Sequence, residues 1–247
     1  MRFSVLSLFP QQIEQSLHTS VIGRSLDKGI LTLETVQIRD FAEGHYGQVD
    51  DTLFGGGTGM LMMCEPIYRA WKSVERKTES YTVFFSPKGT VFSQKKAIEF
   101  SKKEHLIFLC GHYEGVDQRV LDEIVDEEIS IGDYVLTGGE LAACVVIDSV
   151  SRMIDGVLPD SSAFENESHM DGVLEAPHYT RPEVWNGHSA PPVLLSGHHA
   201  DIQKWRREMA LYETLRRRPD MFAKLDCNEE DLAALLERVQ KSNMTEQ

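Results

Sequence analysis

Three segments with strand character, each followed by a glycine-containing loop, decide the fold of this chain. The segments read YTVFF at residues 81–85, LIFLC at 106–110 and IVDEEI at 124–129. A helical pattern follows each of their loops, which read SPKG (86–89), GHYEG (111–115) and IGDYVLTGG (131–139). Repeated strand–loop–helix units are typical of a parallel sheet covered by helices. The sequence therefore predicts an α/β fold.

The three loops share a composition that suits a nucleoside. Parallel sheets of this kind bind ligands at the carboxyl ends of their strands, so the loops are expected to gather at one edge. Glycine lets backbone groups approach a flat or polar ligand without an intervening Cβ. Few of the loop side chains are charged, and Glu114 supplies one carboxylate for a ligand ammonium group. An ordinary strand-to-helix turn explains any one loop, but three adjacent loops with this trait favour a site. The phosphate-binding motif G-x-x-x-x-G-K-[ST] does not occur.

The sequence before and between these units predicts further elements. Alternating apolar residues predict strands over 3–8 and 31–38, and helical spacing predicts one helix over 11–26. Another helix is expected to open at Glu65, with proline next to it. The four residues from Ser93 match S-x-x-K, but its companion motifs are missing, so we interpret Ser93 as a helix N-cap.

Composition divides the chain near residues 160–175. The first domain is expected over 1–158, a flexible linker rich in Pro, Ser, Asn and Asp over 159–176, and a smaller helical domain over 177–247. Within the smaller domain, the pattern predicts helices over 201–217 and 229–241.

Charge and hydropathy exclude several classes of protein. There are 25 Lys and Arg against 39 Asp and Glu, and the net charge of −14 argues against a general nucleic-acid coat protein. The longest apolar run, Leu141–Ile147, is far shorter than the roughly 20 residues of a membrane span. The N-terminus lacks a secretory cleavage site. The four cysteines form no C-x-x-C pair, which fits free thiols in a reducing compartment. We therefore expect a cytoplasmic protein without membrane association.

One segment has the opposite charge balance. Residues 201–224 carry seven Lys and Arg against four Asp and Glu. This pattern allows two interpretations, a surface that binds a specific RNA or a solvated helix face.

Several motifs together resemble the bacterial tRNA (guanine-N1)-methyltransferases. The longest runs from Ser130 to Leu141 and reads SIGDYVLTGGEL. The others are spread over most of the chain: SLFP (7–10), FGGGTGM (54–60), SPKG (86–89), CGHYEG (110–115), PHYTRP (177–182) and LLSGHHA (194–200).

The resemblance implies a fold, a cofactor and an assembly. It implies an α/β methyltransferase domain of the trefoil-knotted (SPOUT) class over 1–158, the linker, and a helical tRNA-binding domain over 177–247. It also implies a homodimer whose active site lies at the subunit interface. The substrate would be tRNA with guanine at position 37, just 3′ of the anticodon. The cofactor would be S-adenosylmethionine, bound by Ser86, Pro87, Gly111, Tyr113, Glu114, Ile131, Gly132, Asp133, Tyr134, Val135, Leu136, Gly138 and Gly139.

The implied chemistry needs a base and a cation. Guanine N1 carries a proton at neutral pH, so a carboxylate must remove it, and the negative charge that develops on O6 needs a cation or an N–H donor. Arg152 matches the family's catalytic arginine. The family's Asp-Ser-Phe pattern becomes Glu167-Ser168-His169 here. Glu167 is therefore the favoured base, with Asp171 and Asp160 as open alternatives.

The resemblance also implies the contacts to RNA. His178 and Arg181 would contact the anticodon region, and Asp50 the guanine. Phosphates would be held by Lys204, Arg206, Arg207 and Arg216 to Arg218. The family implies a possible Mg²⁺ requirement, but no metal-ligand spacing occurs.

Two other functions remain as alternatives. One is a knotted methyltransferase acting on a ribose 2′-hydroxyl, which would need a stronger activating arrangement. The other is a non-catalytic RNA-binding protein, which only the altered acid at Glu167 supports.

Overall fold

The computed structural model describes residues 1–44, 47–159, 164 and 167–245. Its internal contacts divide the chain into two compact units, Met1–Ser161 and Ser162–Gln247. The first unit contains β1 (Arg2–Ser7), α1 (Pro10–Leu17), α2 (Ser20–Asp27), β2 (Thr32–Gln37), a 3-10 turn (Ile38–Phe41), β3 (Asp50–Thr52), β4 (Met60–Met62), α3 (Cys64–Ser73), β5 (Ser80–Val91), α4 (Gln94–Phe100), β6 (His105–Leu109), α5 (Gln118–Ile124), β7 (Glu127–Ser130) and α6 (Glu140–Ser151). The second contains β8 (Val184–Trp185), β9 (His188–Ser189), α7 (Pro192–Leu195), α8 (His199–Arg217), α9 (Pro219–Phe222) and α10 (Glu229–Thr245).

A five-stranded parallel sheet forms the centre of the first unit. Its order is β2-β1-β6-β5-β7, and every residue of β6 is buried. Neighbouring residues of β6 face opposite sides, so Phe108 lies in one core and Ile107 and Leu109 in the other. Helices α1, α2, α4 and α6 cover the first face, and α3 and α5 cover the second. The predicted α/β fold with a parallel sheet is confirmed.

The prediction of one continuous helix over 11–26 is wrong, because the segment forms two helices, α1 and α2. Thr19 is extended and Ser20 has a φ of 54°, which breaks the helical path after α1. A Cβ on Gly23 would lie 2.6 Å from the carbonyl carbon of His18. Glycine there lets α2 fold tightly against the end of α1.

Two predicted boundaries beside the loops are also wrong. The strand predicted from Ile124 begins at Glu127, because Ile124 belongs to the buried face of α5. The SPKG segment is not a strand-to-helix loop, since β5 continues to Val91 with a register shift between Phe85 and Thr90. After the shift β5 passes so close to β7 that a Cβ on Gly89 would lie 2.5 Å from the Ile129 nitrogen. In contrast, the predicted N-cap is confirmed, because Ser93 Oγ accepts a hydrogen bond from the Lys96 N–H.

The sequence did not predict the β3–β4 hairpin. Its strand β4 is held against the loop after β6 by backbone hydrogen bonds from Glu114 to Met60 (3.0 Å) and from Met62 to Gly115 (2.9 Å). The hairpin, which is not part of the main sheet, therefore stabilises the GHYEG segment through backbone hydrogen bonds.

The second unit has its own small core. Val173, Ala210, Leu211 and Leu235 are buried together. The Leu174 N–H also donates to Thr214 Oγ1 at 2.8 Å, so part of the segment predicted as a linker packs against α8. Among the described residues, no helix combines the length and the apolar character needed to cross a membrane.

Candidate functional site

A cavity of about 430 Å³ lies where the three glycine-containing segments meet. Its walls come from β5 around Ser86, from the loop after β6, and from the loop between β7 and α6. The volume is within the range of small-molecule sites, and the position is the carboxyl edge of a parallel sheet. The three segments predicted to converge do line one cavity, although the first of them, SPKG, is part of β5 and not a loop.

The cavity brings together most of the residues predicted to contact the cofactor. Twelve of them line it: Ser86, Pro87, Gly111, Tyr113, Glu114, Ile131, Gly132, Tyr134, Val135, Leu136, Gly138 and Gly139. Asp133 is exposed and is not among the lining residues. Their role in holding a cofactor stays a prediction.

Two glycines allow the cavity walls to approach each other. A Cβ on Gly139 would lie 2.8 Å from Cys110 Cα, and one on Gly138 would lie 2.3 Å from His112 Cε1. The Gly139 N–H donates to the Gly111 carbonyl at 3.1 Å. The paired glycines are therefore needed because two backbone segments lie in direct contact.

Tyr113 and Glu114 occupy a strained turn at the cavity wall. Tyr113 has a φ of 59°, which is uncommon for an aromatic residue. Both side chains are exposed. Gly59 packs against the Glu114 side chain so closely that a Cβ there would lie 2.7 Å from Oε1. The turn thus presents a carboxylate beside the β3–β4 hairpin, and the Met60 carbonyl holds the backbone of Glu114.

Other lining residues were not singled out from the sequence. They include Lys88, His112, Gln118, Ser130 and Thr137. Three of these residues lie inside the quoted motifs at positions that were given no role: Lys88, His112 and Thr137. They would have been found if every residue of each motif had been expected to line the site. Gln118 lies outside every motif and only the fold places it there.

The cysteines are free thiols, as predicted. Burial raises the pKa of Cys110, and the nearby Glu140 raises it further. Burial is also the main cause that raises the pKa of Cys64, Cys144 and Cys227. These thiols are poor nucleophiles at neutral pH.

The predicted catalytic residues fall in different units. Arg152 is the half-buried C-cap of α6 in the first unit. Glu167 is half-buried in a turn of the second unit, and its carbonyl accepts from the Met170 N–H at 3.2 Å. Asp171 is exposed and lies 3.5 Å from Arg207 Nη1. Asp160 lies outside the described residues.

The predicted RNA contacts are also divided. Asp50 begins β3 and does not line the cavity. On the second unit, His178, Arg181, Lys204 and Arg206 are exposed.

Other predicted phosphate contacts are engaged in ion pairs. Arg207 binds both carboxylate oxygens of Asp231, at 2.8 and 3.1 Å, and this pairing raises the pKa of its guanidinium. Arg216 and Arg217 contact Glu213, and Arg218 lies 2.7 Å from Asp220. The hydrogen bond from Arg218 lowers the pKa of Asp220 to about 2. These pairs favour a partly structural role for the cluster.

The cavity can accept a ligand of low net charge. Its charged lining residues, leaving His112 aside, are Lys88, Glu114 and Glu128. The remaining surface is mostly apolar or backbone. In the part of the chain that the structure describes, no three His, Cys, Asp or Glu side chains come together as metal ligands.

Comparison with known proteins identifies the family. The tRNA (guanine-1)-methyltransferase (TrmD) family model matches residues 1–224. A tRNA (guanine-N(1)-)-methyltransferase of Ruminiclostridium cellulolyticum is 52% identical over 227 residues, covering 91% of this chain and 97% of that protein. Proteins of the same name from Clostridium perfringens and Carboxydothermus hydrogenoformans are 48% and 50% identical, covering 95% and 90% of this chain and 99% and 87% of their own lengths. The chain therefore belongs to the tRNA (guanine-1)-methyltransferase family, and it is an enzyme of that class.

Proposed function

We propose that this enzyme transfers the methyl group of S-adenosylmethionine to N1 of the guanine at position 37 of tRNA. The observation that carries the proposal is the convergence of twelve motif residues on one cavity of about 430 Å³. The family membership of the chain supports the same reaction.

The cavity suits the methyl donor in shape and charge. S-adenosylmethionine supplies an electrophilic methyl group on a positively charged sulfur. One lysine and two glutamates among the lining residues give that wall a small negative charge, which complements the donor's net positive charge. Glu114 would hold the ammonium group, and the backbone of 131–139 would bind the polar edges of the nucleoside.

Two side chains would activate the guanine. Glu167 would remove the N1 proton, because a neutral guanine is a poor nucleophile. The guanidinium of Arg152 would stabilise the charge that develops on O6. Asp171, which lies 3.5 Å from Arg207 Nη1, is an alternative base.

The second unit would bind the tRNA. Its segment 177–206 has three Lys or Arg, four His and only two acids, in a chain whose net charge is −14. Trp185 is exposed at the β8–β9 hairpin and Tyr179 is exposed beside Trp205. Exposed aromatic rings among cations are suited to single-stranded RNA.

A homodimer would complete the active site. Val135 is 83% exposed, and Tyr134 and Leu136 beside it are exposed as well. Leu141 and Val145 form an exposed apolar stripe on α6. A second copy of the chain would cover these residues, which border the cavity loops.

The trefoil knot also belongs to the proposal. The close passage of Gly138 and Gly139 against residues 110–112 supports a threaded arrangement of these loops.

A methyl-transfer assay tests the function. Tritiated S-adenosylmethionine is incubated with unmodified tRNA transcripts that carry guanine or adenine at position 37, and the labelled nucleoside is identified. We expect 1-methylguanosine from the guanine transcript alone. Label on a ribose, or no label on either transcript, would favour one of the two alternative functions.

A further inference from the structure

A network of three polar side chains reaches the wall of the cavity, where His112 is a lining residue. Glu140, the first residue of α6, is only 2% exposed. Its Oε1 accepts a hydrogen bond from Ser7 Oγ at 2.6 Å, and His112 Nε2 lies 2.9 and 2.8 Å from the two carboxylate oxygens. Ser7 Oγ in turn accepts from the Phe9 N–H at 2.7 Å.

The network connects three separate segments of the chain. Ser7 ends β1, His112 belongs to the loop after β6, and Glu140 follows the glycine pair. His112 packs edge-on against Phe9, with ring centroids 5.0 Å apart. A Cβ on Gly138 would lie 2.6 Å from Glu140 Oε2, so the glycine pair is packed directly on the network. The loop after β6 and the glycine pair, which form two walls of the cavity, therefore both contact the buried carboxylate of Glu140.

A buried carboxylate is a costly way to stabilise a fold. It is tolerated when it is fully hydrogen-bonded, and its place at a helix N-terminus reduces the cost. Apolar residues of similar volume often stabilise a core at least as well as buried ionic groups. What an apolar side chain cannot do is fix three backbone segments through directional bonds.

We propose that Ser7, His112 and Glu140 are positioning residues that set the spacing between the GHYEG loop and the glycine pair for the methyl donor. The inference rests on the proposed function, since it takes the cavity to be the S-adenosylmethionine site. None of the three residues needs to touch the reacting atoms.

Three variants test the network: Ser7→Ala, His112→Ala and Glu140→Ala. We expect each to raise the Kd and KM for S-adenosylmethionine by about tenfold, the change expected for loss of about 1.4 kcal/mol of binding free energy. For Ser7→Ala and Glu140→Ala, the kcat at saturating donor and tRNA should stay within about threefold, because the groups that do the chemistry are unchanged. Glu140→Gln, which keeps an acceptor for Ser7, should recover part of the affinity.

Ser4→Ala is the matched control. Ser4 lies three residues earlier on β1, is fully buried, and bonds to Glu34 Oε2 at 2.7 Å and His105 Nε2 at 2.9 Å. Its loss should lower the Tm about as much as Ser7→Ala does, but leave the donor Kd unchanged.

The outcomes separate the two proposals. A wild-type protein that does not bind S-adenosylmethionine in calorimetry overturns the proposed function. A wild-type protein that binds it, with Ser7→Ala and Ser4→Ala giving the same donor Kd, overturns the positioning role. If Glu140→Ala does not fold, Ser7→Ala decides, because it leaves the His112–Glu140 pair in place.

Discussion

At the scale of single residues, the absence of a side chain matters as much as its presence. The backbone at Gly139 lies against Cys110, where no flexible group can move aside. We expect Gly139→Ala to weaken S-adenosylmethionine binding by at least about tenfold, because overpacking shifts the backbone and costs about 1–3 kcal/mol. Calorimetric titration with the donor measures the effect.

A control separates this effect from a general loss of stability. Gly197 has a φ of 73° in the second unit, and a Cβ there would have no described neighbour within 4 Å. Gly197→Ala should cost stability but leave donor binding unchanged. Equal donor affinity in both variants would contradict the close-approach argument.

The proposed base makes a second residue-scale prediction. Glu167→Gln keeps the shape of the side chain but cannot take the N1 proton. We expect kcat to fall by about 100-fold or more, with the donor Kd within about twofold of wild type. Asp171→Asn is the comparison, and its kcat should change only a few-fold. If Glu167→Gln kept most of its kcat while Asp171→Asn lost it, Asp171 would be the base.

At the scale of elements, His105 at the start of β6 is expected to make the stability of the folded protein depend on pH. Burial lowers the pKa of His105, and the charges of Arg2 and Arg76 lower it further, whereas Glu34 opposes them. Ser4 bonds to Nε2, while Nδ1 is buried without a hydrogen-bond partner among the described residues. A proton on that ring would add a buried charge, so the folded protein resists protonation.

Stability is therefore expected to fall as the pH drops below about 6.5, where the unfolded histidine takes up a proton before the folded one does. Urea unfolding at about pH 7 and about pH 5 measures the loss. His105→Gln should show a smaller loss between the two values. An identical loss in the variant and the wild type would rule out His105 as the cause.

Helix α8 carries cations of two kinds. Lys204 and Arg206 are exposed, whereas Arg207 is held by Asp231. We expect Lys204→Ala and Arg206→Ala each to weaken tRNA binding and to reduce the slope of log Kd against log salt by about 0.7–0.9. Arg207→Ala should instead lower the Tm, because it leaves the carboxylate of Asp231 without its cation. If Arg207→Ala reduced the slope of log Kd against log salt as much as Arg206→Ala does, Arg207 would be assigned as a contact to an RNA phosphate.

At the scale of the whole molecule, the exposed stripe on α6 predicts the assembly. Val145→Glu would place a charge in an apolar interface between two copies of the chain. We expect it to shift the protein from dimer to monomer in light scattering and to abolish methyl transfer. Leu236→Glu, at an exposed leucine of α10 in the second unit, should change neither. A wild-type monomer with full activity would contradict the proposed interfacial site.

The sequence predicted the sheet and the cavity for the same reason. The strands around Val83 and Phe108 are buried apolar runs, and a glycine-containing segment follows Phe85, Cys110 and Ser130 in the sequence. Both signals are local, so neighbouring residues suffice to recognise them. The long SIGDYVLTGGEL run was specific enough to indicate the family.

Most of what failed depended on packing contacts that periodicity does not show. The sequence has no strong helix-breaking residue at Thr19. Helix α2 changes direction there because Gly23 can pack on His18. Strand β4 has only three residues and gains its partners from the loop after β6. The β8–β9 hairpin did carry a readable signal, since Asn186 and Gly187 both have positive φ angles, as a two-residue turn requires.

The amino-acid sequence by itself determined the α/β class, the loops that line the cavity and the family of enzymes. Only the tertiary structure decided which polar side chains pair: Ser7 with Glu140, 133 positions away, and Arg207 with Asp231. The physical reason is that periodicity and glycine placement act along the chain. The pairing of a buried carboxylate is decided only when the folded backbone brings its donors within hydrogen-bonding distance.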